Sequence, residues 1–240
     1  MYEPRTYRHW VKGDGLVSFS VTVRETDLHV RARTNLEKET FQSIRKHRRH
    51  LERFIRTHPV FLHTLKPYPI SDDATDIVQE MIWAASLAGV GPMAAVAGAI
   101  AEAVGRDLLQ YADEIIVENG GDIFMKSMEK RSIGIFAGYS PFTGDIVLEV
   151  EPENTPLGIC TSSGTVGHSL SFGKADAVVA LSPSAALADA AATAIGNRIS
   201  SREDVDVEIE RSGKQYGLSG LVIIKDDKIG LWGKIKLDSG

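Results

Sequence analysis

Asp189 and Thr193 stand four residues apart in 'LADAAATAIGN' (Leu187 to Asn197), a stretch whose alanines predict a helix. That spacing puts a carboxylate and a hydroxyl on one helical face, and an oxygen-only pair is the donor type Mg²⁺ prefers. Asn197 continues the stripe. The surrounding alanines offer no competing side chain, so a phosphate-bearing ligand can come close to the helix surface. The same spacing would also serve a pair that hydrogen-bonds a neighbouring loop or faces water.

Two other segments concentrate small and polar residues. In 'VENGGDIF' (Val117 to Phe124), Asn119 and Gly120 carry a strong hairpin signal between two β runs. Gly120 and Gly121, lacking a Cβ, also let a ring or phosphate lie against the backbone, with Asp122 orienting it. In 'GICTSSGTVGHS' (Gly158 to Ser169), the hydroxyls of Thr161, Ser162, Ser163 and Thr165 alternate with Gly164 and Gly167 in a pattern able to cradle an anion. No lysine follows these glycines, so this is not a Walker phosphate loop. His168, the histidine nearest these motifs, titrates near neutrality and is the candidate general base, against a purely structural role. Cys160 reads as a small buried hydrophobe rather than a reactive thiol. A hydrolase using Ser162 or Ser163 with His168 lacks the Gly-x-Ser-x-Gly context.

The elements that must position these residues follow from patterning. Alternation predicts strands in 'TYRHWVK', 'LVSFSVTVRE' and 'DLHVRART', with a hairpin break at Glu25-Thr26-Asp27. A long helix is expected from Glu37 to Thr57, then a proline-rich connection and two helices at Asp76 to Leu87 and Pro92 to Tyr111. Ala94, Ala97, Gly98, Ala101 and Gly105 give that last helix a small face for close packing. From Glu114 onward short β runs dominate ('EIIVE', 'DIFMKS', 'SIGIFAG', 'DIVLEVE', 'LGICTS', 'DAVVAL'). One helix, Ser184 to Arg198, interrupts them before 'DVDVEIE', 'LSGLVIIKD' and 'KIGLWGKIK'. Strands in runs and helices in blocks predict an α+β fold of layered mixed or antiparallel sheets packed with several helices, as one domain over residues 1–240.

Composition bounds the function. With 240 residues, 43% hydrophobic and 25% charged, the chain can bury a core without metal or disulfide, and a single cysteine forms no internal bridge. A net charge of −5 argues against a nucleic-acid partner. Local basicity sits in 'SIRKHRRHLERFIRTH' (Ser43 to His58), where apolar residues at helical spacing point to a surface helix with a solvated face, with an anionic partner as the alternative. The uncharged run Met81 to Ala101 is mostly alanine and glycine and is broken by 'GVGP', so it reads as two buried helices rather than a membrane span. The charged N-terminus does not suit a signal peptide. A cytoplasmic protein with no membrane partner is expected; the sequence leaves homo-oligomerisation open.

The ordered set 'NGGDI', 'TSSG' and 'ADAAATA' resembles the ApbE family of FAD-dependent protein FMN transferases, and especially an uncharacterised branch of it, over Val117 to Gly196. The resemblance implies Asp189 and Thr193 as divalent-metal ligands. It further implies Gly120, Gly121 and Asp122, with Asn119, as the turn near the flavin nucleotide, and Thr161, Ser162, Ser163 and Gly164 as the Thr-Ser-Gly segment. It implies Mg²⁺ and FAD or a related nucleotide as cofactors, and an acceptor protein whose hydroxyl receives FMN. Two family features are absent: the Lys-Gly-Tyr-Ala-type segment, replaced by 'GPMAAVAGAIAEAVGRDLL', and an Asp-Pro-x-Thr-Gly string after the Thr-Ser-Gly segment. The family's catalytic histidine goes with that string, so His168 does not inherit the role. The expected function is binding of a phosphate-bearing nucleotide or flavin-like ligand with Mg-dependent FMN transfer; the alternative is a non-catalytic binding protein that keeps the fold.

Overall fold

The computed structural model describes residues 15–165 and 172–239. The strand expected in 'TYRHWVK' and the residue His168 lie outside them. All β ladders among the described residues are antiparallel, and the fold is α+β as expected.

A hairpin of β1 (Val17–Val23) and β2 (Thr26–Ala32) opens one edge of the main sheet. Helix α1 (Glu37–Thr57) follows and buries Ile44, Leu51 and Phe54, residues spaced at seven and three so that they share one face. A short helix α2 (Val60–His63) forms inside the proline-rich connection, where sequence patterning shows none. Helix α3 (Asp76–Ala88) stops at Gly89, whose φ of +74° is the left-handed geometry glycine tolerates. A 3₁₀ turn, Pro92–Ala95, then leads into α4 (Val96–Leu108). The two helical segments meet at 105°, and among the described residues no single helix is long and apolar enough to cross a membrane. Met81, Ile82, Ile100 and Val104 lie in the protein core, as the two-helix reading requires.

Among the described residues the main sheet has eight strands in the order β1-β2-β3-β4-β7-β8-β9-β10, with β3 (Ile115–Asn119), β4 (Asp122–Lys126), β7 (Leu157–Ser162), β8 (Ala177–Ser182), β9 (Gly220–Lys225) and β10 (Lys228–Gly233). A second sheet of three strands, β11-β6-β5, joins β5 (Arg131–Gly134), β6 (Ile146–Val150) and β11 (Leu237–Ser239). The main sheet is therefore covered on both faces. Val117, Phe124, Cys160, Val178 and Leu221 pack toward the helices, whereas Ile116, Met125, Ile159, Val179 and Val222 pack toward the small sheet with Ile133 and Leu148. This two-sided burial is why β8 reads as an unbroken apolar run.

Helix α5 (Ala185–Gly196) crosses the helical face of the sheet; Ser184 caps it by accepting the Leu187 N–H at 3.2 Å. One expected strand is a helix. 'DVDVEIE' lies in α6 (Asp204–Gln215), because its buried residues Val205, Glu208, Ser212 and Gly213 recur at helical spacing and the alternation of its opening residues is incidental.

Candidate functional site

The β3–β4 hairpin turns on Gly120 and Gly121, at φ +67° and +105°, and pairs Asn119 with Asp122 across the turn. A Cβ at either glycine would be strained by the backbone conformation even though space is open around it. β4 pairs with β7, and the Thr161 N–H donates to Asp122 Oδ1 at 3.1 Å. The Asn119 side-chain amide donates to the Ala97 carbonyl at 3.1 Å, tying the turn to the start of α4. From the opposite side, the Gly98 N–H donates to Asp189 Oδ2 at 2.9 Å. At the far end of α5, a Cβ on Gly196 would sit 3.4 Å from Ser162 Oγ. The three segments singled out in the sequence thus converge, with the α4 N-terminus as a fourth wall.

Asp122, buried, and Asp189, half-buried but ringed by protein, meet there as two poorly solvated carboxylates. Burial, then the charge of Asp189, pushes Asp122 well above the ordinary carboxylate range; the Thr161 amide and the Cys160 thiol oppose the shift. Burial raises Asp189 to about 7, against the stabilising amides of Gly98 and Ala97. Among the described residues neither carboxylate has an ion-pair partner. Two such groups near neutral pH either retain a proton or hold a cation.

Close approach of the backbones is what brings them together. A Cβ on Gly98 would sit 2.2 Å from the Ala185 carbonyl oxygen, and one on Gly158 would sit 2.3 Å from Ala185 Cα. The N-terminus of α5 is held by Glu102, whose Oε2 accepts the Ala185 N–H at 2.7 Å. Cys160 is fully buried and donates to the Ala185 carbonyl at 3.3 Å, and burial with the two neighbouring carboxylates pushes its thiol well up. It is packing, not a nucleophile, at ordinary pH.

Thr193 lies one turn beyond Asp189 on α5 and is half-buried. Ser163 and Gly164 take a more structural part. Ser163 Oγ accepts the Thr165 N–H at 3.1 Å, while the Gly164 N–H donates to the Ala175 carbonyl at 2.9 Å, packed so closely that a Cβ would meet the Gly173 oxygen at 2.1 Å. Asn197 accepts the Phe172 N–H at 2.9 Å and so fastens the end of α5 to the connection between β7 and β8 rather than extending the acidic face.

A hard cation fits this donor set in kind: carboxylate and hydroxyl oxygens, with no soft or imidazole ligand. It does not fit in number, because no cluster of three His, Cys, Asp or Glu side chains that could hold a metal exists among the described residues. Ligand phosphate or water oxygens would have to complete the coordination, as is usual for Mg²⁺. The amides of Ala97 and Gly98 and the juxtaposition of Asp122 with Asp189 escaped the sequence reading. The one signal was 'GVGPMAAVAG', whose small residues do serve packing but whose amides also hold a carboxylate.

Comparison with known proteins agrees with this architecture. A UPF0280 protein of Methanocaldococcus jannaschii is 43% identical over 203 residues, covering 82% of each chain. One of Methanosarcina acetivorans is 42% identical over 199 residues, covering 81% of this chain and 77% of its own. The flavin transferase ApbE from Vibrio cholerae shares the fold with a TM-score of 0.56 at 14% identity, over 90% of this chain and 96% of that one. The Pseudomonas stutzeri flavinyl transferase ApbE, in its apo form, does so with a TM-score of 0.54 at 11% identity, over 90% and 93%. The model of the family described as AbpE bacteria matches residues 8–215, a span that takes in the site and every element from β1 to α6 and leaves β9, β10 and β11 outside, and the chain belongs to that family within the ApbE-like superfamily.

Proposed function

We propose that the site binds FAD or a related phosphate-bearing nucleotide together with Mg²⁺, and that it transfers FMN to a hydroxyl of an acceptor protein. The observation that carries this reading is the meeting of the buried Asp122 and the half-buried Asp189, without an ion-pair partner among the described residues, at the start of α4. Asp189 and Thr193 would hold the cation, which supplies charge neutralisation to the pyrophosphate when bound. Gly120 and Gly121 leave the turn open for the nucleotide, Asp122 orients it, and Thr161 and Ser162 supply hydroxyls at the end of β7, with Ser163 and Gly164 shaping the loop that follows. His168 stays the candidate base for the acceptor hydroxyl on sequence grounds alone. The fold shared with two flavin transferases supports the reading.

The test is direct. Purified protein incubated with FAD, Mg²⁺ and hydroxyl-bearing candidate proteins should release AMP and yield a covalently flavinylated product by mass. If neither appears while FAD still binds, the protein is a ligand-binding member of the family without transfer. The absent Asp-Pro-x-Thr-Gly string favours that second reading.

A further inference from the structure

We propose that the outer face of α1 and the α2 turn form a docking surface for an acidic protein segment bearing apolar side chains. What such a partner delivers rests on the transfer reading; the surface itself does not.

Residues 41–70 hold seven lysines and arginines against one carboxylate, Glu52, in a chain whose net charge is −5. Local partners account for two of the seven. Lys46 pairs with Asp107 at 3.1 Å, and Arg48 pairs with Glu25 at 2.6 Å and Glu52 at 2.9 Å. Arg45, Arg49, Arg53 and Arg56, at spacings of four, four and three, make one exposed stripe opposite the buried Ile44, Leu51 and Phe54. None of the four has an ion-pair partner among the described residues, and Arg45 only overlies the Phe41 ring at 5.6 Å. Like charges at these spacings repel along a helix, a cost that an anionic partner would relieve.

Beside the last arginine the chain presents apolar residues on a fixed turn. Val60, Leu65 and Ile70 are 65%, 59% and 86% exposed. They are not on a loose segment: Phe54 stacks on His58 at 4.2 Å and meets Phe61 edge-on at 5.1 Å, and Phe61 meets Tyr68 at 5.4 Å. The turn also abuts the site's fourth wall. A Cβ on Gly91 would sit 1.9 Å from the Thr64 oxygen and 3.1 Å from Leu65 Cα, and Gly91 opens the turn into α4, whose Gly98 amide holds Asp189.

The chemistry selects among anionic partners. An all-arginine stripe suits carboxylates, which its forked donors bind in pairs, and arginine is enriched where proteins meet proteins. The exposed large hydrophobic residues of the turn, Val60, Leu62, Leu65 and Ile70, are all aliphatic. They offer neither the aromatic platforms on which bases stack nor the tryptophan and tyrosine anchors of a lipid interface.

The probe is a fluorescent synthetic peptide of alternating glutamate and leucine with a central threonine, titrated with the full chain and read by anisotropy. Saturable binding is expected, weakening with added salt. Arg49→Glu, Arg53→Glu and Arg56→Glu together should weaken it at least about tenfold, and Val60→Ser with Leu65→Ser several-fold. Both variants should keep the parent's circular dichroism and FAD affinity. Unchanged affinity in either variant, or equal binding of a glutamate-serine peptide, overturns the proposal. So does tighter binding of anionic vesicles or single-stranded DNA through the same arginines. If no FMN transfer is found while peptide binding behaves as stated, the transfer reading alone falls.

Discussion

Asp189 is placed where a carboxylate resists ionisation, yet its proposed role requires the ionised form. With its proton held to about 7 by burial, a cation must displace that proton at acidic pH and finds the carboxylate free above neutrality. Mg²⁺ affinity measured by calorimetry should therefore rise by about tenfold from pH 6 to pH 8, with proton release at the lower pH; a flat profile would remove Asp189 from the coordination. Metal-free stability should move the other way. Between the ordinary carboxylate range and about 7 the folded protein keeps a proton that the unfolded chain has lost, so stability falls as pH rises through that window. Replacing Asp189 with Asn removes a poorly solvated charge, and should raise the metal-free melting temperature at pH 8 while abolishing Mg²⁺-dependent FAD binding. Thr193→Val should weaken Mg²⁺ binding and leave the melting temperature nearly unchanged. The pair Asp189 and Thr193 was legible in the sequence because helical spacing alone puts them on one face. The meeting of Asp189 with Asp122 was not, because it depends on how β4 registers against β7 and how α5 crosses them.

At the scale of elements, the small residues of α4 and α5 decide how near the carboxylates come. On an exposed helix surface Gly98→Ala would gain about 1 kcal/mol from helix propensity. Here the added methyl would meet the Ala185 carbonyl oxygen at 2.2 Å and the Asp189 side chain at 2.9 Å. Separating α4 from α5 to make room should cost about 1–3 kcal/mol, and the sign of the net change in urea denaturation distinguishes the two effects. FAD affinity should fall as well, since the same shift pulls the Gly98 amide from Asp189. Composition announced this packing, and the helices emerged near their expected bounds, α1 and α3 through their apolar spacing and α5 through its alanines. Patterning failed where two periods fit the same letters: 'DVDVEIE' alternates like a strand, but only the helix buries Glu208 against Arg198 and Ser212, at 2.8 Å each. It also failed at α2, whose four residues are too few to show a period.

Across the whole molecule, two apolar layers share one sheet but do different work. The helical layer carries the site: α4, α5 and the ends of β4 and β7 fix every distance between the carboxylates. The small sheet β11-β6-β5 covers the opposite face and contributes no residue to the site, closing instead over Ile116, Met125 and Ile159 with Ile133, Leu148 and Val150. Sequence patterning showed the strands of both sheets except the three-residue β11, too short to alternate, and it did not show their division, because an inward-facing residue of β6 looks the same whichever sheet receives it. The division has a measurable consequence. Leu148 is 1% exposed in the second layer, and truncating it to Ala should cost about 2–5 kcal/mol of stability through lost burial and the cavity left behind. FAD affinity, measured well below the lowered melting temperature, should stay within about twofold of the parent, since additivity holds for sites that share no partners. A Leu148→Ala variant that kept its stability would mean the small sheet is not packed as a core. One that lost FAD affinity in step with stability would mean that the main sheet transmits strain from one face to the other, and that the site is shaped by both layers.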